Sequence, residues 1–421
     1  MTHAKRHVVV VGGSVAGMRV LAELRAAGFG GRLTLVDPDA GAPYDRPPLS
    51  KQVLVGDWPP NKASLGDPSA WGAEIVERRA IALDAEEHVL TVEPRPHHSE
   101  PGEDAGKSDD SGPHMHIGYH KLVIATGATP RTLDAGKLDG VHVLRTMSDC
   151  LAIRESLDRG GPLVVVGAGF IGAEVASSAR ARGIPVTLVE VLPAPMERAL
   201  GREVGGLLRD LHESNGTEVL CGVAVDGFEG DTRVRGVRLD NGRTIPADTV
   251  VVGIGVTPNT SWLHGSGVML DDGVVCDQFC AAVNVDDVAA IGDVARWYDT
   301  RIQQHVRVEH WTNATEQAYT VAHNIVDPDD RRVHRALPYF WSDQYGTKIQ
   351  LIGYCDPAAQ VTTVKSSGPK FRAAAVYHHG DELRAAVMVN WSRALGMTRV
   401  ALQDNAPVGK VLDKLAERID A

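Results

Sequence analysis

The sequence predicts an α/β protein with two βαβ units of parallel sheet, followed by a segment of antiparallel strands with attached helices. Three observations carry this. An apolar run, Val8 to Val11, enters a glycine turn, then a helical stretch from Ala16 to Ala27 with Leu21 and Leu24 at helical spacing, then a second strand, Leu33 to Val36. The same order returns at Leu163 to Val166, Gly167 to Gly172, Ala173 to Arg182 and Val186 to Val189, which ends in Glu190. After Pro328 come a short aromatic segment, Tyr339-Phe340-Trp341, and runs at Lys348 to Gly353, Ala359 to Lys365, Arg372 to Tyr377 and Leu383 to Val389, with a terminal helix from Val408 to Ile419.

At 421 residues the chain is long enough for two or three domains. Its formal charge of -11 argues against a protein that neutralises nucleic-acid phosphates with a basic surface. With 43% apolar and 23% charged residues, it has the composition of a globular protein rather than a disordered chain. The run at Val8 to Val11 is broken by Gly12, Gly13 and Ser14, too soon for a secretory segment or for a membrane span of about 20 residues. Cys150, Cys221, Cys276, Cys280 and Cys355 are odd in number and scattered, which suits reduced thiols in the cytoplasm. Cys276 and Cys280, the close pair, read as structural, and no metal site is expected.

Between the two units, residues 97 to 116 are rich in Pro, Gly, Ser, Asp and His. They read as a long solvated hairpin loop between strands Val89 to Val92 and Lys121 to Ala125. His97, His98, His114 and His116 read as loop residues rather than metal ligands, because a chain segment rich in conformational entropy is a poor preorganised donor set.

The first glycine turn, Gly12-Gly13-Ser14-Val15-Ala16-Gly17, follows a strand and opens a helix, and Asp37 stands 25 residues after Gly12. In that context a G-x-G-x-x-G run signals a dinucleotide. Gly12 allows the tight turn, a small residue at 14 lets the backbone approach a pyrophosphate, and Gly17 lets helix and strand close up. The helix N-terminus offers unpaired N–H groups to the phosphates, and Asp37 can accept from ribose hydroxyls. Ser14 stands where the middle glycine belongs.

The second turn, Gly167-Ala168-Gly169-Phe170-Ile171-Gly172, has all three glycines, and Glu190 follows 23 residues after the first. A carboxylate there accepts from a free 2'-hydroxyl and repels a 2'-phosphate, which favours NAD over NADP. Arg198 pulls the other way, being able to reach the adenosine end.

Residues away from the turns decide which nucleotide each holds. Val288 to Asp293 is a strand leading into a Gly292-Asp293 turn, the second signature of FAD enzymes, where the Asp accepts from ribityl hydroxyls. Ala125-Thr126-Gly127-Ala128-Thr129-Pro130-Arg131 is the strand and turn that link an FAD part to an NAD part.

The chain resembles the FAD-dependent, NADH-using ferredoxin reductases of the putidaredoxin reductase and Rieske-oxygenase reductase type, within the pyridine nucleotide-disulfide oxidoreductase superfamily. The likeness covers nearly all of it except a loop insertion at about 94 to 116. Its most specific segments are Pro43 to Lys51, Val251 to Thr260, Glu309 to Ala314 and Phe340 to Gly346. The resemblance implies two Rossmann-like domains: an FAD domain of residues 1–131 and 254–327, and an NAD domain of residues 132–253 inserted in it. An α+β interface domain, residues 328–421, follows.

It also implies residue roles. FAD is held by Gly12, Ser14, Ala16, Gly17, Asp37, Arg46, Lys51, Thr126, Gly127, Arg131, Gly292, Asp293, His310 and Trp311, with Trp341 covering the flavin. NADH falls to Gly167, Gly169, Phe170, Ile171, Gly172, Glu190, Arg198 and Gly255. Lys51, near flavin N5 and paired with Glu174, carries the catalytic step, since a buried cation there favours uptake of negative charge.

Disulfide reductases of the superfamily this chain resembles carry a C-x4-C pair on the helix after the second strand. Residues 38 to 60 contain no Cys, so the resemblance implies no transfer from flavin to a thiol pair. The resemblance then implies a small iron-sulfur ferredoxin, of the 2Fe-2S kind, as electron acceptor, with an oxygenase such as a cytochrome P450 or a Rieske enzyme downstream. Five scattered Cys leave no room for a cluster in this chain itself. Residues 328 to 421 hold 13 Lys/Arg against 10 Asp/Glu, a net +3, which points to Lys365, Lys370, Arg372 and Arg393 as a place for an acidic ferredoxin to dock. Two rival readings stay open: reduction of a small acceptor such as a quinone or monodehydroascorbate, and an NADH-sensing flavoprotein like the apoptosis-inducing factors.

Overall fold

The computed structural model describes residues 6–38, 43–94, 113–356, 358–367 and 371–420. Their contacts divide into two compact units. The first comprises the described residues of Met1–Asp45, Ser64–Thr129 and Thr257–Ala336; the second comprises those of Arg46–Ala63, Pro130–Val256 and Leu337–Ala421.

The first unit is built on a five-stranded parallel sheet in the order Val288–Ala290, Lys121–Ile124, His7–Val11, Arg32–Val36, Ala73–Val76. Val8, Val9 and Val10 are fully buried, as a strand covered on both faces requires. Helix Val15–Ala26 packs Val20, Leu21 and Leu24 into that core, and Ala314, Ala318 and Val321 of helix Trp311–Val326 join them.

Beside the sheet lies an antiparallel set, Arg78–Asp84, Val89–Pro94 and Met115–Gly118. Here the expected loop is too long: His116 is not in it but lies opposite Thr91 in the ladder. The reason is local alternation, since Ile117 is buried beside Leu90 while His116 and Gly118 face out, a period-two pattern that the polar composition masked. His114 is exposed just before that strand. His97 and His98 lie outside the described residues.

The second unit holds a matching parallel sheet in the order Glu218–Cys221, Val186–Glu190, Leu163–Val166, Thr249–Val252, Val141–Val143. The chain after Leu337 adds a five-stranded antiparallel sheet in the order Tyr339–Gln344, Thr347–Gly353, Glu382–Val389, Ala373–His379, Gln360–Lys365. The alternation of side chains across this sheet sends Ile349, Leu351, Tyr377 and Val387 to one face. They share a core with Ala173, Leu200, Val204 and Leu208 of the nucleotide-turn segment. Ile352, Val376, Ala386 and Met388 point the other way, onto helices Ser392–Gln403 and Val408–Arg418. Burial on both faces explains why the central strands, Ala373–His379 and Glu382–Val389, are mostly apolar.

Arg46–Ala63 groups with the second unit although its neighbours in sequence belong to the first. Carbonyls of this segment are bonded from that side: Cys150 Sγ donates to Leu49 O at 3.1 Å and Arg182 Nη1 to Leu54 O at 3.2 Å.

Candidate active site

Both glycine turns have the same physical construction. Gly12 and Gly167 have φ of +108° and +96°, and a Cβ on either would come within 2.3 Å of Ala125 O or 2.4 Å of Gly253 O. A Cβ on Gly17 or Gly172 would lie 1.9 Å from Gly12 O or 2.0 Å from Gly167 O, so only glycine lets each helix close onto its own turn. The acids at the strand ends brace the turns. The Gly13 N–H donates to Asp37 Oδ2, and the Ala168 N–H donates to Glu190 Oε2 at 2.7 Å, while Leu192 N–H donates to Glu190 Oε1 at 2.9 Å.

Gly169 differs from its companions, because an added Cβ there meets nothing within 4 Å. Among the described residues no contact demands a glycine at that point, and the open space fits a ligand lying close against the backbone. Neither helix Val15–Ala26 nor helix Phe170–Ala181 has a side-chain cap or an acid in its first turn. Their first N–H groups therefore fit an anionic pyrophosphate. In the first unit the chain fits FAD in a further respect. Gly292, with φ +74°, donates its N–H to Gln317 Oε1 at 2.7 Å, and the fully buried Gln317 keeps an amide nitrogen that no described residue accepts from.

The remaining expected FAD residues of the first unit lie on loops and at the starts of helices. Ala16 lies beside Gly292, since a Cβ on that glycine would sit 3.3 Å from Ala16 Cβ. Thr126 and Gly127 are tied to Asn259: its amide donates to Thr126 O at 2.9 Å, and its backbone N–H to Gly127 O at 2.9 Å. Ser14 takes the N-cap position with its side chain making no cap bond. His310 precedes helix Trp311–Val326, and burial pushes its pKa down to about 4. Trp311 Nε1 donates to Asp45 Oδ1 at 2.7 Å. Asp293 stands in the short helical turn Gly292–Val294.

The second unit carries the rest. Arg46 precedes the turn Pro47–Ser50, and Arg131 is exposed, its N–H donating to Gly255 O at 2.9 Å. Gly255 has φ +98° with open space where a Cβ would be. Phe170 packs on Phe340 with ring centroids 3.9 Å apart, Ile171 is 46% exposed at the turn, and Arg198 is exposed in the first turn of helix Glu197–Ser214. Trp341 lies in strand Tyr339–Gln344, stacked against Tyr339.

Lys51 and Glu174 are brought together as an ion pair, Nζ to Oε2 at 2.7 Å. Glu174 is buried and Lys51 nearly so, which a charge tolerates only when its partners are in place. They are in place here: Lys51 Nζ also donates to Pro47 O at 3.1 Å, Ser50 Oγ donates to Glu174 Oε2, and Ser342 Oγ donates to Glu174 Oε1 at 2.7 Å. Ser50, Ser342 and Asn259 were legible only as parts of motifs, and Gln317 not at all. No sequence spacing announces them, because each acts across 25 to 168 residues of chain.

None of the five cysteines is poised for thiol chemistry. All are free, and burial pushes the Cys150 and Cys355 thiols up to about 11 and about 12 and those of Cys221, Cys276 and Cys280 upward as well.

Residues 6–318 match the family described as pyridine nucleotide-disulphide oxidoreductase, and residues 339–416 match a reductase C-terminal family. The chain belongs to the pyridine nucleotide-disulphide oxidoreductase family. It is 35% identical over 351 residues to rhodocoxin reductase of Rhodococcus erythropolis, covering 82% of this chain and 78% of that one. It is 31% identical over 422 residues to putidaredoxin reductase of Pseudomonas putida, covering 96% and 94%. Among solved structures, the ferredoxin reductase for the CYP199A2 system from Rhodopseudomonas palustris has a TM-score of 0.83 at 32% identity, over 92% of this chain and 91% of that one. The reductase in the covalent putidaredoxin reductase-putidaredoxin complex has a TM-score of 0.86 at 30% identity, over 96% and 94%. Within a family named for disulphides, this member lacks cysteine in residues 38 to 60. Among the described residues no helix is long and apolar enough to cross a membrane.

Proposed function

We propose that this member of the family is an FAD-dependent NADH:ferredoxin reductase that delivers electrons to a small 2Fe-2S ferredoxin serving an oxygenase, in the cytoplasm. The observation that carries the reading is a pair of braced dinucleotide turns in one chain with no cysteine in residues 38 to 60. The names of its relatives agree, among them the ferredoxin--NAD(+) reductase components of the anthranilate 1,2-dioxygenase system of Burkholderia cepacia and the biphenyl dioxygenase system of Paraburkholderia xenovorans.

In this reading residues 1–131 and 254–327 form the FAD domain, 132–253 the NAD domain and 328–421 the interface domain. Bound FAD supplies the chemistry of taking two electrons together from NADH and releasing them singly. The chain's own residues hold, orient and charge the site. Gly12, Ser14 and Gly17 bring the N-terminus of helix Val15–Ala26 to the FAD pyrophosphate, with Asp37, Thr126, Gly127, Gly292 and Asp293 around it. Gly167, Gly169 and Gly172 do the same for NADH, whose ribose Glu190 accepts from. The residue after Glu190 is Val191, 60% exposed, which offers nothing to a 2'-phosphate. Lys51, held by Glu174, presents a fixed cation to the hydride step.

An anaerobic stopped-flow run tests this. NADH should bleach the yellow protein within seconds and NADPH far more slowly, and added oxidised 2Fe-2S ferredoxin should return the colour at low micromolar concentration. A protein that bleaches but restores its colour only with a quinone would replace the ferredoxin by a small acceptor. A long-lived NADH complex that dimerises and passes electrons slowly to any acceptor would replace the enzyme by a sensor.

A further inference from the structure

The Glu174 carboxylate is held from both sides by different parts of the second unit. Oε2 receives Lys51 and Ser50, which lie in the Pro47–Ser50 turn and just after it; Oε1 receives Ser342, from the antiparallel sheet 168 residues further along. Ser342 is fully buried, and so is Gln344, whose Nε2 donates to Ser342 Oγ at 3.0 Å. Both sit on the same face of strand Tyr339–Gln344, two residues apart, while Trp341 and Asp343 alternate onto the opposite face.

The turn that ends this strand is pinned to the same nucleotide-turn segment. Tyr345, at φ +52°, donates its N–H to Ser177 Oγ at 2.7 Å, and its hydroxyl pairs with His212 Nδ1 at 2.8 Å and Thr217 Oγ1 at 2.9 Å. Helix Phe170–Ala181 thus meets the strand along one stripe: Phe170 on Phe340, Glu174 on Ser342, Ser177 on Tyr345. Burial keeps His212 neutral, so the anchor brings no second charge toward the ion pair.

We infer that Ser342, supported by Gln344, is a positioning residue for the hydride step: its hydroxyl fixes the Glu174 carboxylate and through it the place of the Lys51 ammonium. The physical reason is the accounting of a buried carboxylate. An acceptor oxygen shut away from water requires a donor, and without one the carboxylate turns to share those it has. Removing the Ser342 hydroxyl therefore leaves the ion pair formed but no longer held in one geometry. A cation out of place by an ångström loses much of its value to a developing charge. The inference rests on the reductase reading above.

The test uses the FAD-loaded protein with S342A, Q344A, E174Q and the S342A/E174Q double variant. For S342A, the limiting rate of flavin bleaching at saturating NADH should fall about 10-fold, with half-saturation by NADH moving less than about 2-fold. In a spectroelectrochemical titration its bound FAD should have a more negative midpoint potential. Q344A should show the same changes in weaker form. In the E174Q background, S342A should add less than about 2-fold, because the hydroxyl acts through that carboxylate. An S342A rate and potential equal to the parent's would overturn the inference, as would an S342A effect of undiminished size in the E174Q background. A parent protein that NADH does not bleach fails differently, by ending the reductase reading itself.

Discussion

Lys51 Nζ and Glu174 Oε2 lie 2.7 Å apart, with 12% of the lysine side chain and 3% of the glutamate side chain exposed. A pair this deep is rarely a stability device, since burying two charges costs about as much as their attraction returns. Its retention in a half-polar nest of Ser50, Ser342 and Pro47 O points to a job for the cation.

Lys51→Met should lower the limiting rate of flavin reduction by NADH by about 10²-fold, the scale of losing one charge-stabilising group. FAD retention should change little, because the proposed reading gives the pyrophosphate to the first turn. Stopped-flow bleaching and FAD release by gel filtration check the two halves; an unchanged rate would remove Lys51 from the step.

Gly169 and Gly172 should respond differently to the same change. Gly172→Ala puts a Cβ 2.0 Å from Gly167 O and should lower the melting temperature by several degrees, a cost of roughly 1–3 kcal/mol. Gly169→Ala meets no protein atom and should leave the melt unmoved while weakening NADH about 10-fold. Equal melts for both variants would contradict the ligand-driven reading of Gly169.

Glu190→Ala should weaken NADH by about 10-fold and narrow its advantage over NADPH, because the carboxylate that favours a free 2'-hydroxyl is gone. The Ala168 and Leu192 N–H groups lose their acceptor as well, so a small loss of stability should accompany it. An unaltered NADH/NADPH ratio would set Glu190 apart from the ribose.

His212 and His334 are almost completely buried, and burial pushes the pKa of each down to about 4. Unfolding frees each ring to take up a proton near its ordinary value of 6.5. The stability each confers by staying neutral is therefore whole above pH 6.5 and is lost as pH falls from there to about 4, on the order of 3 kcal/mol apiece. Thermal melts from pH 8 to 4.5 should fall steeply below 6.5, and His212→Gln should flatten that fall while costing a little at pH 8, where the Tyr345 hydroxyl loses one of its two partners and keeps Thr217. A parallel curve for the variant would discard the His212 contribution.

Much of this was open to a reading of residues in order. Strand Leu163–Val166 and the start of helix Val408–Arg418 stand where the hydrophobic pattern puts them, and the other regular elements of the two nucleotide segments start and end within a few residues of it. Both glycine turns, with Asp37 and Glu190, were visible because a βαβ unit is local: strand, turn, helix and acid are neighbours in sequence, and the chemistry of each glycine follows from φ and close approach. Strand Met115–Gly118 escaped notice because only Met115 and Ile117 mark its inward face within polar surroundings.

The amino-acid order alone therefore determined the two nucleotide turns, the lack of a redox cysteine pair near Lys51, and the family. Tertiary structure decided what surrounds the ion pair. That Glu174 takes Ser50 and Ser342 at once, that Tyr345 reaches His212 and Thr217, and that Gln317 backs Gly292 are outcomes of packing between distant segments. Periodicity records which face of an element is buried, but not which partner is buried against it, and a hydrogen bond depends on the partner.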